Sequence, residues 1–188
     1  MARALVLLLL LLVAACSDPH ATARAAALAQ AQSELATDPA AALRTAKAAL
    51  AEHGADPRLS LVAGLAHQQL HEPGEAIAQA EAGLAADELP PDLRADLSWV
   101  RGAALLARFK ELNSADDWRA ANLALEQATT AGAYRVQAAT ALAGLQLLGT
   151  LGNDERLLKY ARLVFQLEPD GESARQLHAL LDAKGLKP

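Results

Sequence analysis

Residues 39–50 read PAAALRTAKAAL and residues 73–84 read PGEAIAQAEAGL, and the two segments align without a gap at an offset of 34 residues. Each opens on a proline, which has no N–H to lose and a φ already set for the first turn of a helix. In each, small residues recur at spacings of four and three: Ala42, Ala46 and Ala49, then Ala76, Ala80 and Gly83. Those spacings fall on one face of a helix, and a face of small side chains lets a second helix come close. A third triplet, Ala121/Leu125/Ala128, and a fourth, Leu157/Ala161/Val164, continue the pattern with bulkier members. The third stands 45 residues after the second, which asks for a longer linker at Glu88–Asp92 and a longer helix around Arg108–Asp117.

Outward from these segments the pattern is helix, break, helix. Asp38-Pro39 and Asp56-Pro57 are helix starts, with aspartate as N-cap and proline at the first helical position. Glu72-Pro73-Gly74, Glu88–Asp92, Gly152-Asn153-Asp154 and Glu168–Gly171 are further breaks. Helices are expected over roughly 21–36, 39–53, 58–71, 74–86, 91–112, 116–131, 134–150, 154–167 and 171–184. Composition agrees: alanine and leucine make up 84 of 188 residues, while valine and isoleucine total 7 and aromatics are 3%. Helices favour the first pair and strands the others, so the fold class is all-α. A formal net charge of −5 and the lack of a basic stripe exclude a nucleic-acid partner. The high apolar content excludes a disordered chain.

The period and the triplets resemble the tetratricopeptide repeat. In that family a small residue opens the second helix of each hairpin, and residues four and seven positions on pack against the first helix. The family's first-helix glycine is matched by Gly64 and Gly102, and its closing proline by Pro169. The resemblance spans about residues 21–170. Its large aromatics are mostly replaced by alanine and leucine, and Leu157 stands where a small residue belongs. It implies antiparallel helical hairpins stacked as a short solenoid; the residues alone also allow an irregular bundle with alanine-rich seams. Leu177, Leu180 and Leu181 share one face of the last helix and read as a C-terminal cap.

At the other end, Ala4–Ala15 runs twelve residues without a polar side chain. That is short of the roughly 20 residues a bilayer span needs and fits the core of a secretory signal. Leu12-Val13-Ala14-Ala15-Cys16 resembles the bacterial lipobox. The resemblance implies that residues 1–15 are a lipoprotein signal peptide, that Cys16 is lipidated, and that residues 16–20 form a short tether to a repeat domain over 21–188. The run also fits an ordinary signal cleaved near Ala15, with Cys16 incidental. By resemblance to Gram-negative lipoproteins, Ser17 in place of aspartate implies the outer membrane, facing the periplasm. Cys16 is the lone cysteine, so no intramolecular disulfide forms. Loss of residues 1–15 shifts the formal charge from −5 to −6, a surface not drawn to anionic lipid, so the lipid supplies the membrane attachment.

Little in the chain points to chemistry. His67 and His71 share a helix face, with Glu75 past the break, and a third ligand would make a zinc site. His67, however, falls at a packing position, and His71 lies near a helix C-terminus, where an imidazolium is favoured. Asp116-Asp117 and Glu111 offer carboxylates, but adjacent aspartates point apart; Asp116 reads as an N-cap ahead of Trp118, and Asp117 as favourable charge at a helix start. There is no phosphate loop, nucleophile elbow or Cys/His pairing. No catalytic residue, metal, cofactor or enzyme activity is expected.

In tetratricopeptide arrays the first helix of each hairpin lines a concave surface. The resemblance carries that role to Arg24, Ala27, Ala31 and Glu34; to Arg58, Leu61, Leu65, Gln68 and Gln69; to Asp96, Trp99, Ala103 and Leu106; and to Leu142, Gln146 and Thr150. The partner-binding candidates are Arg58, Leu61, Leu65, Gln68, Gln69, Trp99, Leu106 and Gln146, an apolar centre with a polar rim that suits an amphipathic helix or extended peptide. Trp99 fits either an interface anchor or a core position; Trp118 reads as packing. The implied function is a protein-interaction scaffold in envelope assembly (pilus biogenesis, secretion or a peptidoglycan-related complex). The alternative is a self-associating structural lipoprotein with no dedicated groove.

Overall fold

Proline or a short polar cap starts most of the described helices. Asp38 Oδ1 accepts from Ala41 N at 2.9 Å, and Asp56 Oδ1 from Arg58 N at 2.8 Å. Asn153 Oδ1 does the same for Arg156 N at 3.0 Å. The computed structural model describes residues 19–148 and 151–187. Among them, the helices are α1 (Pro19–Leu35), α2 (Pro39–His53), α3 (Pro57–Gln69), α4 (Pro73–Leu84), α5 (Pro91–Leu112), α6 (Ala115–Ala128), α7 (Arg135–Leu145), α8 (Asp154–Leu167) and α9 (Glu172–Lys184), with no strand. Cys16, the segment 1–15 and Thr150 lie outside the described residues.

Each helix packs on the next, and the odd-numbered helices also pack on one another: α1 on α3, α3 on α5, α5 on α7. No comparable contact among the described residues joins α2 with α4, α4 with α6 or α6 with α8. Hairpins therefore stack side by side with their first helices closer together than their second helices. That is the geometry of a curved solenoid whose inner face is formed by the odd-numbered helices. The chain is all-α, with helical hairpins stacked as a short solenoid. Helix α9 closes it against α8, burying Leu177 and Leu181, with Leu180 half-buried beside them.

The triplets form the seams. Ala42, Ala46, Ala76, Ala80, Ala121, Leu125, Leu157, Ala161 and Val164 are all 0% exposed, and Ala49, Gly83 and Ala128 are buried with them. Small size is required on the partner helix too. A Cβ on Gly102 of α5 would stand 2.7 Å from Leu125 Cγ and 3.1 Å from Leu125 N of α6. The 45-residue displacement of the third triplet has its cause in α5, which runs 22 residues against 13 for α3.

Three expectations need correction. Helix α1 begins at Pro19 rather than at 21, and proline suits a first helical position. Helix α7 stops at Leu145 rather than at 150. The chain there turns back until Gly152 lies on the Gln146 backbone, where a Cβ would sit 1.9 Å from the Gln146 carbonyl oxygen. The N-cap of α6 is Ser114, whose Oγ accepts from Asp117 N at 3.3 Å, and not Asp116. Asn113 ends α5 in the left-handed region at φ 52°, so Ser114 is the next residue able to cap.

The same substitution should have opposite signs at two helical glycines. Gly102→Ala drives a methyl against Leu125 backbone and should cost about 1–3 kcal/mol. Gly144→Ala meets nothing within 4 Å in α7 and should stabilise by about 0.5–1 kcal/mol through helix propensity. Thermal or urea unfolding of the two variants beside the parent reads both. Equal effects would contradict the close approach of α5 and α6.

Candidate interaction site

The inner face gathers most of the residues that the repeat frame assigns to it. On α3, Arg58 and Gln69 are exposed, while Leu61, Leu65 and Gln68 are half-buried; Leu61 and Leu65 also pack on the core. On α5, Trp99 and Leu106 are half-buried and rest on the same core. Helices α3 and α5 are neighbours on this face, and Gln68 Nε2 donates to the Val100 carbonyl of α5 at 2.7 Å. Arg58 stands at the mouth of a separate cleft between α1 and α3, lined also by Arg24, Gln32 and Asp56.

Gln146 departs from the frame. It is 3% exposed, and its Nε2 donates to Asn122 Oδ1 at 3.0 Å and to the Leu142 carbonyl at 3.3 Å. Because α7 ends at Leu145, the Gln146 side chain folds back between α7 and α6 and does not line a surface. Leu142 is buried as well. The inner face is therefore built by α1, α3 and α5.

Trp99 is held in place rather than left open. Its ring stacks on Tyr134 with centroids 5.7 Å apart and planes 10° apart. Tyr134 ends the α6–α7 loop, which is clasped to the first turns of α5: Asp92 Oδ1 accepts from Gly132 N at 3.2 Å and Asp96 Oδ1 from Ala133 N at 2.7 Å. Burial raises the Asp96 carboxyl above its ordinary range, against the lowering effect of the Ala133 and Tyr134 backbone bonds. Burial and the Asp96 carboxylate raise the Tyr134 phenol in turn.

A cleft of about 220 Å³ opens on this face between the α3–α4 turn and α5. Ala103, Ala104 and Ala107 form its floor, and Gln68, His71, Glu72, Pro73 and Glu111 its walls. The turn is a left-handed helix stop: His71 has φ 59°, His71 N donates to the Gln68 carbonyl at 3.1 Å and Glu72 N to the His67 carbonyl at 2.9 Å. Buried His67 then ties the turn shut, its Nδ1 donating to Glu72 Oε2 at 2.6 Å. The spacing thought of for zinc thus serves a helix end. Among the described residues no three His, Cys, Asp or Glu side chains converge on a possible metal position.

The repeat frame points to Gln68 and Ala103 in this cleft and misses Ala107, Glu111 and Glu72. A signal was there: Ala103, Ala107 and Glu111 follow at steps of four along one stripe of α5. The 22 residues of α5 outrun the 13 of α3, so the end of that stripe faces a turn instead of a helix, and the gap is the cleft.

Two polar clusters elsewhere have structural work. Glu126 of α6 accepts from the Tyr160 hydroxyl and from Arg156 Nη2 (3.0 Å), both on α8. Burial would raise the Glu126 carboxyl, but these bonds outweigh it and the group lies below its ordinary range. Arg108 of α5 grips Asp117 of α6 through two bonds, 2.9 Å and 2.6 Å. Asp117 is buried, and the paired carboxylates Asp116 and Asp117 do not converge: Asp116 is exposed and pairs with Arg119.

Arg108's hydrogen bonds hold the Asp117 carboxyl below its ordinary range, outweighing the burial that pushes it up. The stability it contributes is therefore complete above the unfolded pKa of about 3.9 and is lost as pH falls through the lowered folded value. Asp117→Asn should flatten the acid limb of stability below about pH 4. At neutral pH it should cost about 1–2 kcal/mol, the lower part of the range for a charged hydrogen bond because Arg108 is partly exposed and screened. Urea unfolding at a series of pH values checks both, and an unchanged acid limb would refute the assignment.

No family model, no curated protein and no solved structure matches this chain, so its function is argued from its own residues.

Proposed function

We propose that this protein is a lipid-anchored scaffold of the bacterial outer membrane, facing the periplasm, that holds an envelope protein or peptide on the inner face of its solenoid. The pathway class is envelope assembly: pilus biogenesis, secretion or a peptidoglycan-related complex. The observation that carries the reading is the inner face itself. Leu61, Leu65, Trp99 and Leu106 form a half-buried apolar centre on adjacent helices, edged by the exposed Arg58 and Gln69. A shallow apolar strip with a polar rim is what an amphipathic helix or extended peptide needs. Its action is recruitment rather than catalysis.

Anchoring rests on the apolar run Ala4–Ala15 and the lipobox-like Leu12–Cys16. No helix among the described residues is long and apolar enough to cross a membrane. Several acyl chains on Cys16 would attach the domain stably, at about 0.8 kcal/mol per buried methylene.

A second reading has an observation of its own. A self-associating structural lipoprotein would draw on exposed leucines, and Leu112, Leu123, Leu148 and Leu151 are exposed, from 36% to 67%.

Two experiments decide. Radiolabelled palmitate should enter the parent chain and not Cys16→Ala, which should keep residues 1–15 and leave the lipidated fraction; equal labelling would refute the anchor. The full lipidated protein, purified from detergent-solubilised envelopes, should bring down a discrete partner. The doubly substituted Arg58→Glu, Gln69→Glu chain, altered only at exposed positions, should lose about tenfold or more of it, since an unmatched charge at an interface costs more than 1.4 kcal/mol. Recovery of the protein alone, as a concentration-dependent oligomer, would favour the self-associating role.

A further inference from the structure

We propose that the cleft between the α3–α4 turn and α5 is a socket for one long cationic side chain, a lysine or arginine of the bound partner. The inference rests on the scaffold reading and specifies its partner's chemistry. At about 220 Å³ the cleft is smaller than the roughly 300–1,000 Å³ of small-molecule sites, and suits one side chain. Its floor of Ala103, Ala104 and Ala107 is apolar, which fits an aliphatic stem. Its walls bring two carboxylates, Glu72 and Glu111, and no lysine or arginine.

Glu111 has no ion-pair partner among the described residues. Arg108, three residues back on the same helix, is the natural one, but its Nε and Nη2 both donate to Asp117. Glu72 gives Oε2 to His67 and stays nearly half exposed, with no other hydrogen bond to its carboxylate among the described residues. Gln68 spends its amide N–H on Val100 and keeps its carbonyl as a further acceptor. The helix ends act in the same direction. The C-terminal ends of α3 and α5 carry partial negative charge here, against the single N-terminal end of α4. His71 is the one titratable base on the rim. An ammonium or guanidinium at the mouth, with its stem on the alanines, meets the two carboxylates, the Gln68 carbonyl and the ends of α3 and α5 with the complementary sign, and only the α4 N-terminus opposes it.

The test is an NMR titration of the full lipidated chain in detergent micelles with two probes. One is a capped Gly-Lys-Gly tripeptide; the other has norleucine, of equal length and no charge, in place of lysine. The lysine probe should move the backbone amides of Ala103, Ala107 and Glu111, and the norleucine probe should not. Glu111→Gln, at an exposed position without a partner, should weaken the lysine probe about threefold. Adding Glu72→Gln should bring the loss to about tenfold, the range of partly exposed charge pairs. Equal responses to the two probes, no response in the cleft amides, or unchanged affinity in Glu111→Gln each overturn the proposal. Envelope capture separates it from the scaffold reading. A partner retained equally by the parent and Glu111→Gln sinks the socket alone, whereas no partner for the parent sinks the scaffold.

Discussion

The helices of this protein meet on alanine and glycine, and the rest of the architecture follows from how little each such contact stabilises. Burying an alanine removes one methyl from water, where a leucine removes an isobutyl group, at about 0.8 kcal/mol per carbon. A hairpin closed on Ala42, Ala46 and Ala49 alone cannot offset the entropy of ordering its two helices. Stability must then come from hairpins added in series, each burying what its neighbour leaves open. Helix α5 shows the consequence. It packs on α3, α4, α6 and α7, and buries Leu97, Val100, Leu105 and Phe109. The helix with the larger side chains becomes the spine on which the alanine seams are hung.

What is local in this fold was legible in the residues. Asp38-Pro39, Asp56-Pro57 and Asn153 name their helix starts because a cap and the N–H that it satisfies lie within three residues. The four triplets named the seams because a spacing of three and four puts residues on one face whatever surrounds them. The errors are non-local. Helix α7 stops at Leu145, and Gly152 lies against the Gln146 backbone, a contact that the periodicity of 134–150 does not show. Asp116 and Ser114 are both able to cap, and the choice is made by where α5 ends, at Asn113. Once Ser114 caps, Asp117 is turned toward Arg108, and an apparent pair of carboxylates becomes one ion pair between helices and one on the surface.

The arrangement of the proposed interaction face was legible in part for the same reason. A repeat frame transfers positions, so it found Leu61, Leu65, Gln68, Trp99 and Leu106 on the odd-numbered helices. It failed at Gln146, where the fourth hairpin is too short to present the position outward. It also passed over Glu72 and Glu111, because the cleft they line is made by a departure from the repeat. With an α5 as short as α3, the stripe Ala103, Ala107, Glu111 would end before reaching the turn. The irregularity that weakens the resemblance is thus also the source of the cleft that Glu72 and Glu111 line.

A single partly exposed charge pair stabilises by about 1 kcal/mol or less, and an alanine floor adds little more. Millimolar binding takes about 4 kcal/mol, so the apolar strip of Leu61, Leu65, Trp99 and Leu106 must supply the larger part, and the whole face would then hold its partner in the millimolar range. On the proposed reading it need not do better. A domain held against a membrane by acyl chains on Cys16 and a tether ending at Pro19 shares a thin layer with other envelope proteins, where effective concentrations reach millimolar values. Under that confinement a weak contact is occupied and still exchanges quickly, which suits a scaffold that hands a partner on. A tight pocket would need the large buried anchors that this sequence replaces with alanine. The poverty of the core and the shallowness of the face therefore have one origin, and on the proposed reading the lipid anchor is what would let a surface so modest act as a binding site.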